Sequence, residues 1–99
     1  MIVCIPSKAR PNTKTYTLFK DKKFKVFHFI EPQDIKEYKV PNKTKISIGL
    51  NNMGIGYCRN FILEWAKKNN HDWILMCDDD VRYFGISENE KTITKRRIK

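Results

Sequence analysis

Residues 73–80, with the sequence WILMCDDD, place a short apolar run directly before three consecutive aspartates. A short apolar run is typical of a strand that is buried in a parallel sheet. In open α/β sheets, ligands bind outside the carboxyl ends of the strands, where these three acids would lie. The feature therefore favours an α/β fold with an acidic site at one edge of the sheet. A solvated acidic loop that merely closes a strand is the alternative.

Apolar segments alternate with helical patterns along the rest of the chain. Strands are predicted over 1–6, 24–30, 45–50 and 72–77, and helices over 13–20, 33–38 and 57–70. Strands that alternate with helices favour a parallel sheet with right-handed crossovers. The predicted fold is a three-layer α/β sandwich around a mostly parallel sheet of about four strands, a half-domain of the nucleotide-binding type. The last helix buries one face, formed by Cys58, Phe61, Ile62, Trp65 and Ala66.

The length of 99 residues allows one small domain, which we assign to 1–86, followed by a basic, disordered tail over 87–99. No apolar run approaches the ~20 residues of a membrane span, and the first residues do not form a secretory signal. The three cysteines follow no metal-binding spacing, which indicates reduced thiols. We therefore expect no membrane partner and a cytoplasmic location, in the host if the chain is viral.

The net charge of +9 is compatible with binding to nucleic acid, although a lysine excess can also be a solvated surface. The tail concentrates part of this charge. Its candidate nucleic-acid-binding residues are Lys95, Arg96 and Arg97.

The three adjacent carboxylates predict a metal–phosphate site. Neighbouring carboxylates repel one another unless a cation shares them. Hard divalent ions such as Mg²⁺ or Mn²⁺ prefer oxygen ligands and often bridge to substrate phosphates. We therefore expect Mn²⁺ or Mg²⁺ as the cofactor.

The loop before the last helix contains a second candidate feature, the pair Gly54 and Gly56. Backbone amides at a helix start attract phosphate, and glycine lets the ligand approach, although a GxG pattern alone is weak. Arg59 is predicted in the first turn, where the helix dipole disfavours a cation. Its expected partner is a carboxylate of the aspartate loop or a ligand phosphate, and the alternative is an arginine on the solvent face.

Three segments together resemble the GT-A glycosyltransferases, and within them the phage-type enzymes related to DNA hypermodification. These segments are IPSKARP at 5–11, GIGYCRNFILEWA at 54–66 and WILMCDDDV at 73–81, and the resemblance covers about residues 1–84. It implies a truncated GT-A, Rossmann-like domain that binds a nucleotide sugar, with a UDP-sugar expected. It also implies that the enzyme is a metal-dependent transferase and that modified DNA is a possible acceptor.

The resemblance implies functional roles for the residues that match its motifs. Asp78 and Asp80 correspond to the DxD pair and would hold the metal, with Asp80 as the main ligand. Donor-binding residues would be Pro6, Ser7, Arg10, Gly54, Gly56, Arg59 and Asp78. The catalytic residue stays unassigned.

Two departures from the pattern lead to further expectations. Lys8 and Ala9 replace an aromatic–basic pair, and only nineteen residues follow Asp80, whereas such enzymes continue with strands that build the acceptor site. We therefore expect glycosyl transfer to be incomplete in an isolated chain, with self-association or a second chain supplying the acceptor half. A non-enzymatic basic module that binds nucleic acid or protein is the alternative, and metal-dependent phosphoryl transfer ranks last. His28 is predicted to be structural.

Overall fold

The computed structural model describes residues 2–11, 14–19, 24–79 and 93–97; of residues 14, 17, 18 and 93–97 it describes the backbone alone. Within this part of the chain there are five strands, two α-helices and two 3₁₀ helices. The strands are β1 (Ile2–Ser7), β2 (Lys25–Ile30), β3 (Lys45–Ser47), β4 (Trp73–Cys77) and β5 (Ile93–Arg97). The α-helices are α1 (Lys14–Phe19) and α2 (Gly54–Lys68), and the 3₁₀ helices span Pro32–Glu37 and Asn42–Thr44.

The strands form one sheet in the order β3-β2-β1-β4-β5. The first four strands in this order are parallel to one another, and β5 pairs with β4 in the antiparallel direction. The predicted α/β fold with a mostly parallel sheet is thereby confirmed. Because β1 lies between β2 and β4, the chain leaves β1 toward one edge and later returns to its other side.

Apolar residues on both faces of β1 explain why the protein has three layers. Ile2 and Cys4 belong to a core cluster that includes residues of α2, whereas Val3 and Ile5 belong to a cluster that includes Phe19 of α1. Alternate residues of a strand point to opposite faces of the sheet. The two helices therefore cover opposite faces, and an apolar β1 is buried between them.

Helix α2 buries the face that its apolar spacing predicts. Cys58, Ile62 and Ala66 are buried, and the Trp65 ring lies 5.1 Å from that of Phe29, centroid to centroid. The helix begins at Gly54, three residues earlier than predicted, so Gly54 and Gly56 lie in its first turn and Arg59 in its second. Gly54 has a φ of +86°, a conformation that glycine adopts without steric cost.

The predicted disordered tail is wrong for Ile93–Arg97, which pair with β4 from Cys77 to Trp73. An edge strand presents unpaired N–H and C=O groups, and a following segment can satisfy them. The candidate nucleic-acid-binding residues Lys95, Arg96 and Arg97 therefore belong to a strand. Residues 87–92 and 98–99 lie outside the described part. In that part, no helix is long and apolar enough to cross a membrane.

His28 is a core residue, as predicted. It is fully buried in β2, with its Nδ1 atom 3.1 Å from the Thr44 hydroxyl and its ring edge-on to Tyr16. Burial, with a smaller contribution from the positive charge of Lys45, lowers the pKa of His28 to about 4. The imidazole is therefore neutral near pH 7.

Candidate functional site

The strand order creates a crevice at the carboxyl ends of β1 and β4. The connection from β1 through α1 leads to β2 on one side of β1, and the connection through α2 places β4 on the other side. Such a reversal in strand order opens a crevice where α/β sheets bind ligands. The turn after β1 and the aspartates after β4 both lie at this edge.

A cavity of about 300 Å³ occupies this edge of the sheet. This volume is at the lower end of the range found for small-molecule sites. Five segments contribute to its wall: the end of β1 with the turn after it, the residue after β2, the residue after β3, the first turns of α2 and the aspartate loop. The lining residues are Pro6, Ser7, Lys8, Arg10, Glu31, Ile48, Gly54, Ile55, Cys58, Asp78 and Asp79.

Asp79 is held by hydrogen bonds from the turn after β1. The Ser7 hydroxyl donates to its Oδ2 atom at 2.6 Å, and the Arg10 guanidinium donates to its Oδ1 atom at 3.2 Å. Both carboxylate oxygens therefore have a partner, and only 11% of the side chain is exposed. Asp79 accordingly joins the two sides of the crevice.

Tyr38 extends this network beneath the turn. Its phenol oxygen lies 2.6 Å from the Ser7 hydroxyl and accepts a hydrogen bond from the Arg10 backbone N–H at 3.2 Å. Because Ser7 gives its only proton to Asp79, the Tyr38 O–H must donate to Ser7. Burial is the main cause of the raised pKa of Tyr38, which favours this protonated phenol. The turn after β1 is thus fixed from inside the protein.

Asp78 has a different environment from its neighbour. Its Oδ1 atom lies 3.7 Å from a guanidinium nitrogen of Arg59, and 38% of its side chain is exposed. Its backbone carbonyl accepts a hydrogen bond from the Thr15 hydroxyl, and the Asp79 carbonyl accepts one from the Thr15 N–H at 3.4 Å. Helix α1 therefore fixes the backbone of the aspartate loop while the Asp78 carboxylate remains accessible at the cavity.

Glu31 follows β2 directly and is the buried acid of the site, with 4% of its surface exposed. Its Oε2 atom accepts a hydrogen bond of 2.6 Å from the Asn52 N–H and lies 3.9 Å from the Lys8 ammonium. Its Oε1 atom accepts a hydrogen bond from the Gln33 side chain at 2.9 Å. Glu31 therefore connects the turn after β1 to the loop before α2.

Cys58 contributes a thiol to the cavity wall, and Cys4 and Cys77 lie in the core. Burial is the largest cause of a raised thiol pKa at all three positions: about 11 for Cys58 and about 12 for the other two. The Cys58 thiol also donates to the Phe29 carbonyl at 3.8 Å. All three are therefore protonated near pH 7, and none is an activated nucleophile.

The structure gathers most of the sequence-predicted site residues. Those that line the cavity are Pro6, Ser7, Arg10, Gly54 and Asp78, and Arg59 joins them through its ion pair with Asp78. Gly56 is not among the lining residues. Asp80, the predicted main metal ligand, lies outside the described residues. The described residues include no group of three His, Cys, Asp or Glu side chains placed to hold a metal ion.

Sequence reasoning missed two acids of the site, Asp79 and Glu31. The DxD pattern drew attention to the outer aspartates, and only the contacts with Ser7 and Arg10 distinguish the middle one. Glu31 could have been found, because it follows a predicted strand and so occupies the ligand-binding edge of the sheet. Its burial is a consequence of tertiary contacts with Asn52 and Lys8.

Comparisons with known proteins identify a family. The model of the TET-associated glycosyltransferase family matches residues 1–98. No curated protein and no solved structure matches the chain.

Proposed function

Because the chain belongs to the TET-associated glycosyltransferase family, we propose that its cavity binds a nucleotide sugar for transfer to modified DNA. The observation that supports this proposal most strongly is the composition of the cavity lining, which includes Ser7, Arg10 and Gly54 as well as Asp78 and Asp79. Cations and helix-start amides suit a diphosphate, and carboxylates suit a divalent cation. A UDP-sugar is the donor expected from the GT-A resemblance.

The cations of the site would bind the diphosphate of the donor. Arg10 lines the cavity and 55% of its side chain is exposed, so its remaining N–H groups can reach a ligand while one stays on Asp79. Arg59 lies beside Asp78 at the second turn of α2. Charge-assisted hydrogen bonds from these groups would orient the phosphates, and the turn over residues 6–10 would border the base and ribose.

The two described aspartates would have different roles. Asp78 is the more exposed carboxylate and the one we assign to Mn²⁺ or Mg²⁺, together with Asp80 of the same loop. Asp79 has both oxygens engaged by Ser7 and Arg10 and would position the loop. A bound divalent cation would stabilise the departing nucleoside diphosphate.

Calorimetric titration of UDP and UDP-glucose, with Mn²⁺ and with EDTA, tests this proposal. We expect binding that requires the metal and weakens at least about tenfold, or 1.4 kcal/mol, in Asp78→Asn. Glu64→Gln is the matched control, since Glu64 is an exposed acid on α2 outside the cavity wall. Equal affinity in EDTA would contradict the metal assignment, and absence of binding in both conditions would contradict the donor site.

A basic nucleic-acid-binding module without transferase activity is the second candidate. The net charge of +9 and the basic residues Lys95, Arg96 and Arg97 of β5 favour it. It predicts salt-sensitive DNA binding that survives Asp78→Asn but weakens when these three residues are changed to glutamine. DNA binding that is insensitive to those changes would count against it.

A further inference from the structure

The segment that leads into α2 exposes several large apolar side chains; we call residues 50–55 the apolar loop, of which Gly54 and Ile55 already begin the helix. Of the five large apolar side chains that are exposed in the described part of the chain, three belong to this loop. Leu50 is 52% exposed, Met53 50% and Ile55 55%. Single exposed apolar residues are ordinary, but a cluster beside a cavity indicates an interaction surface.

Polar contacts fix the backbone of the apolar loop from the protein side. The Asn51 side chain accepts a hydrogen bond from the Gln33 N–H at 3.0 Å, and the Asn52 N–H donates to Glu31 at 2.6 Å. The Asn52 side-chain oxygen also accepts from the Lys8 ammonium at 3.2 Å. These hydrogen bonds hold the backbone that carries the exposed apolar side chains, and a fixed backbone lowers the entropic cost of binding.

The apolar loop adjoins both the cavity and the cations around it. Ile55 lines the cavity, whereas Leu50 and Met53 are not among its lining residues. Lys8 lies against the loop through Asn52. Arg59 is one helical turn after Ile55, so these two side chains lie on the same side of α2. The exposed apolar side chains and the Lys8 ammonium therefore lie together at the rim of the proposed donor site.

We infer that the apolar loop is where an unstacked base of the acceptor nucleic acid packs, an inference that rests on the proposed function. Proteins that unstack bases pack apolar side chains such as Leu, Ile and Met against them. Lys8, whose ammonium donates a hydrogen bond to Asn52 of the loop, would contact a phosphate beside that base. Enzymes that act on a base commonly remove it from the stack, and this loop borders the cavity that would hold the sugar.

Binding of a fluorescent single-stranded oligonucleotide, followed by anisotropy at several salt concentrations, tests the inference. In the full chain carrying Leu50→Ser and Met53→Ser, we expect affinity to fall at least about tenfold while the salt dependence stays unchanged, because no phosphate contact is lost. Lys8→Gln should instead reduce the salt slope by about one. Trp73→Ser removes an exposed apolar side chain at the other end of β4 and should leave affinity unchanged.

Two further measurements keep the outcomes distinct. The double variant should bind UDP-glucose as tightly as the wild type does. This measurement tests the donor site independently of the oligonucleotide titration, which tests the acceptor surface. If the double variant does not fold, Met53→Gln takes its place. This substitution keeps the side-chain length and should lose part of the oligonucleotide affinity. Unchanged affinity in the variants, or no oligonucleotide binding by the wild type, would overturn the inference. A wild-type dimer that the double variant converts to monomer, with equal oligonucleotide affinity, would assign the loop to a second copy instead.

Discussion

The Ser7 hydroxyl donates a hydrogen bond of 2.6 Å to the Asp79 carboxylate, joining residues 72 positions apart in the sequence. Ser7 ends β1, and Asp79 follows β4, so the bond crosses the crevice between two neighbouring parallel strands. Arg10 reinforces it on the other carboxylate oxygen. The middle aspartate therefore fixes the geometry in which Asp78 faces the cavity.

Asp79→Asn should lower stability, whereas Asp78→Asn should chiefly lower metal-dependent donor binding. An amide at position 79 cannot accept from both Ser7 and Arg10, and loss of one partner for a largely buried group costs about 1–3 kcal/mol. Asp78 is more exposed, so its replacement should cost little stability. Urea unfolding and calorimetric titration of both variants check this difference. Equal losses of stability would contradict the separate roles.

Gly54→Ala and Gly56→Ala should have opposite effects on stability. An added Cβ meets no atom within 4 Å at either position, so only the backbone conformation distinguishes them. Gly54 has a φ of +86°, where alanine costs about 1–2 kcal/mol. Gly56 lies inside α2 and outside the left-handed region, so alanine should stabilise by about 0.5–1 kcal/mol. Thermal unfolding of the two variants measures the difference, and equal shifts would contradict it.

His28 should make the protein less stable in mild acid. Its pKa falls from an ordinary value of 6.5 to about 4 in the fold, so the unfolded chain takes up the proton first. The free energy of unfolding that neutral His28 contributes is fully present above pH 6.5. It falls by about 3 kcal/mol in total as the pH drops toward 4. His28→Gln should remove that part of the pH dependence of urea unfolding, and His71→Gln should keep it. An unchanged pH dependence in His28→Gln would contradict the assignment.

The native thiols should react slowly with a disulfide reagent near pH 8. The thiolate is the reactive form. Compared with a thiol of ordinary pKa 9.0, the thiolate population is reduced about 100-fold at Cys58 and about 1000-fold at Cys4 and Cys77. Cys58 should be labelled first, because it lines the cavity. Labelling rates of the wild type and Cys58→Ser, in buffer and in urea, measure this order. Rapid labelling of a native thiol would contradict it.

The sequence could predict that the turn after β1 and the aspartates after β4 lie close together, because parallel strands end at one edge of a sheet. The turn after β1 and the acids after β4 each follow an apolar run, so their proximity requires only that both runs be strands of one parallel sheet. The extent of α2 was less predictable. Its first turn contains Gly54 and Gly56, residues of low helix propensity, so the sequence pattern starts the helix three residues later than the fold does.

The sequence by itself determined the α/β alternation, the buried face of α2 and the family, because hydrophobic periodicity and local motifs encode them. Tertiary structure decided which aspartate is held and which is accessible, since that depends on Ser7, Arg10 and Arg59 approaching from other segments. It also decided that Ile93–Arg97 extend the sheet and that Glu31 is buried. Both follow from backbone and side-chain hydrogen bonds between distant residues, which leave no periodic pattern in the chain.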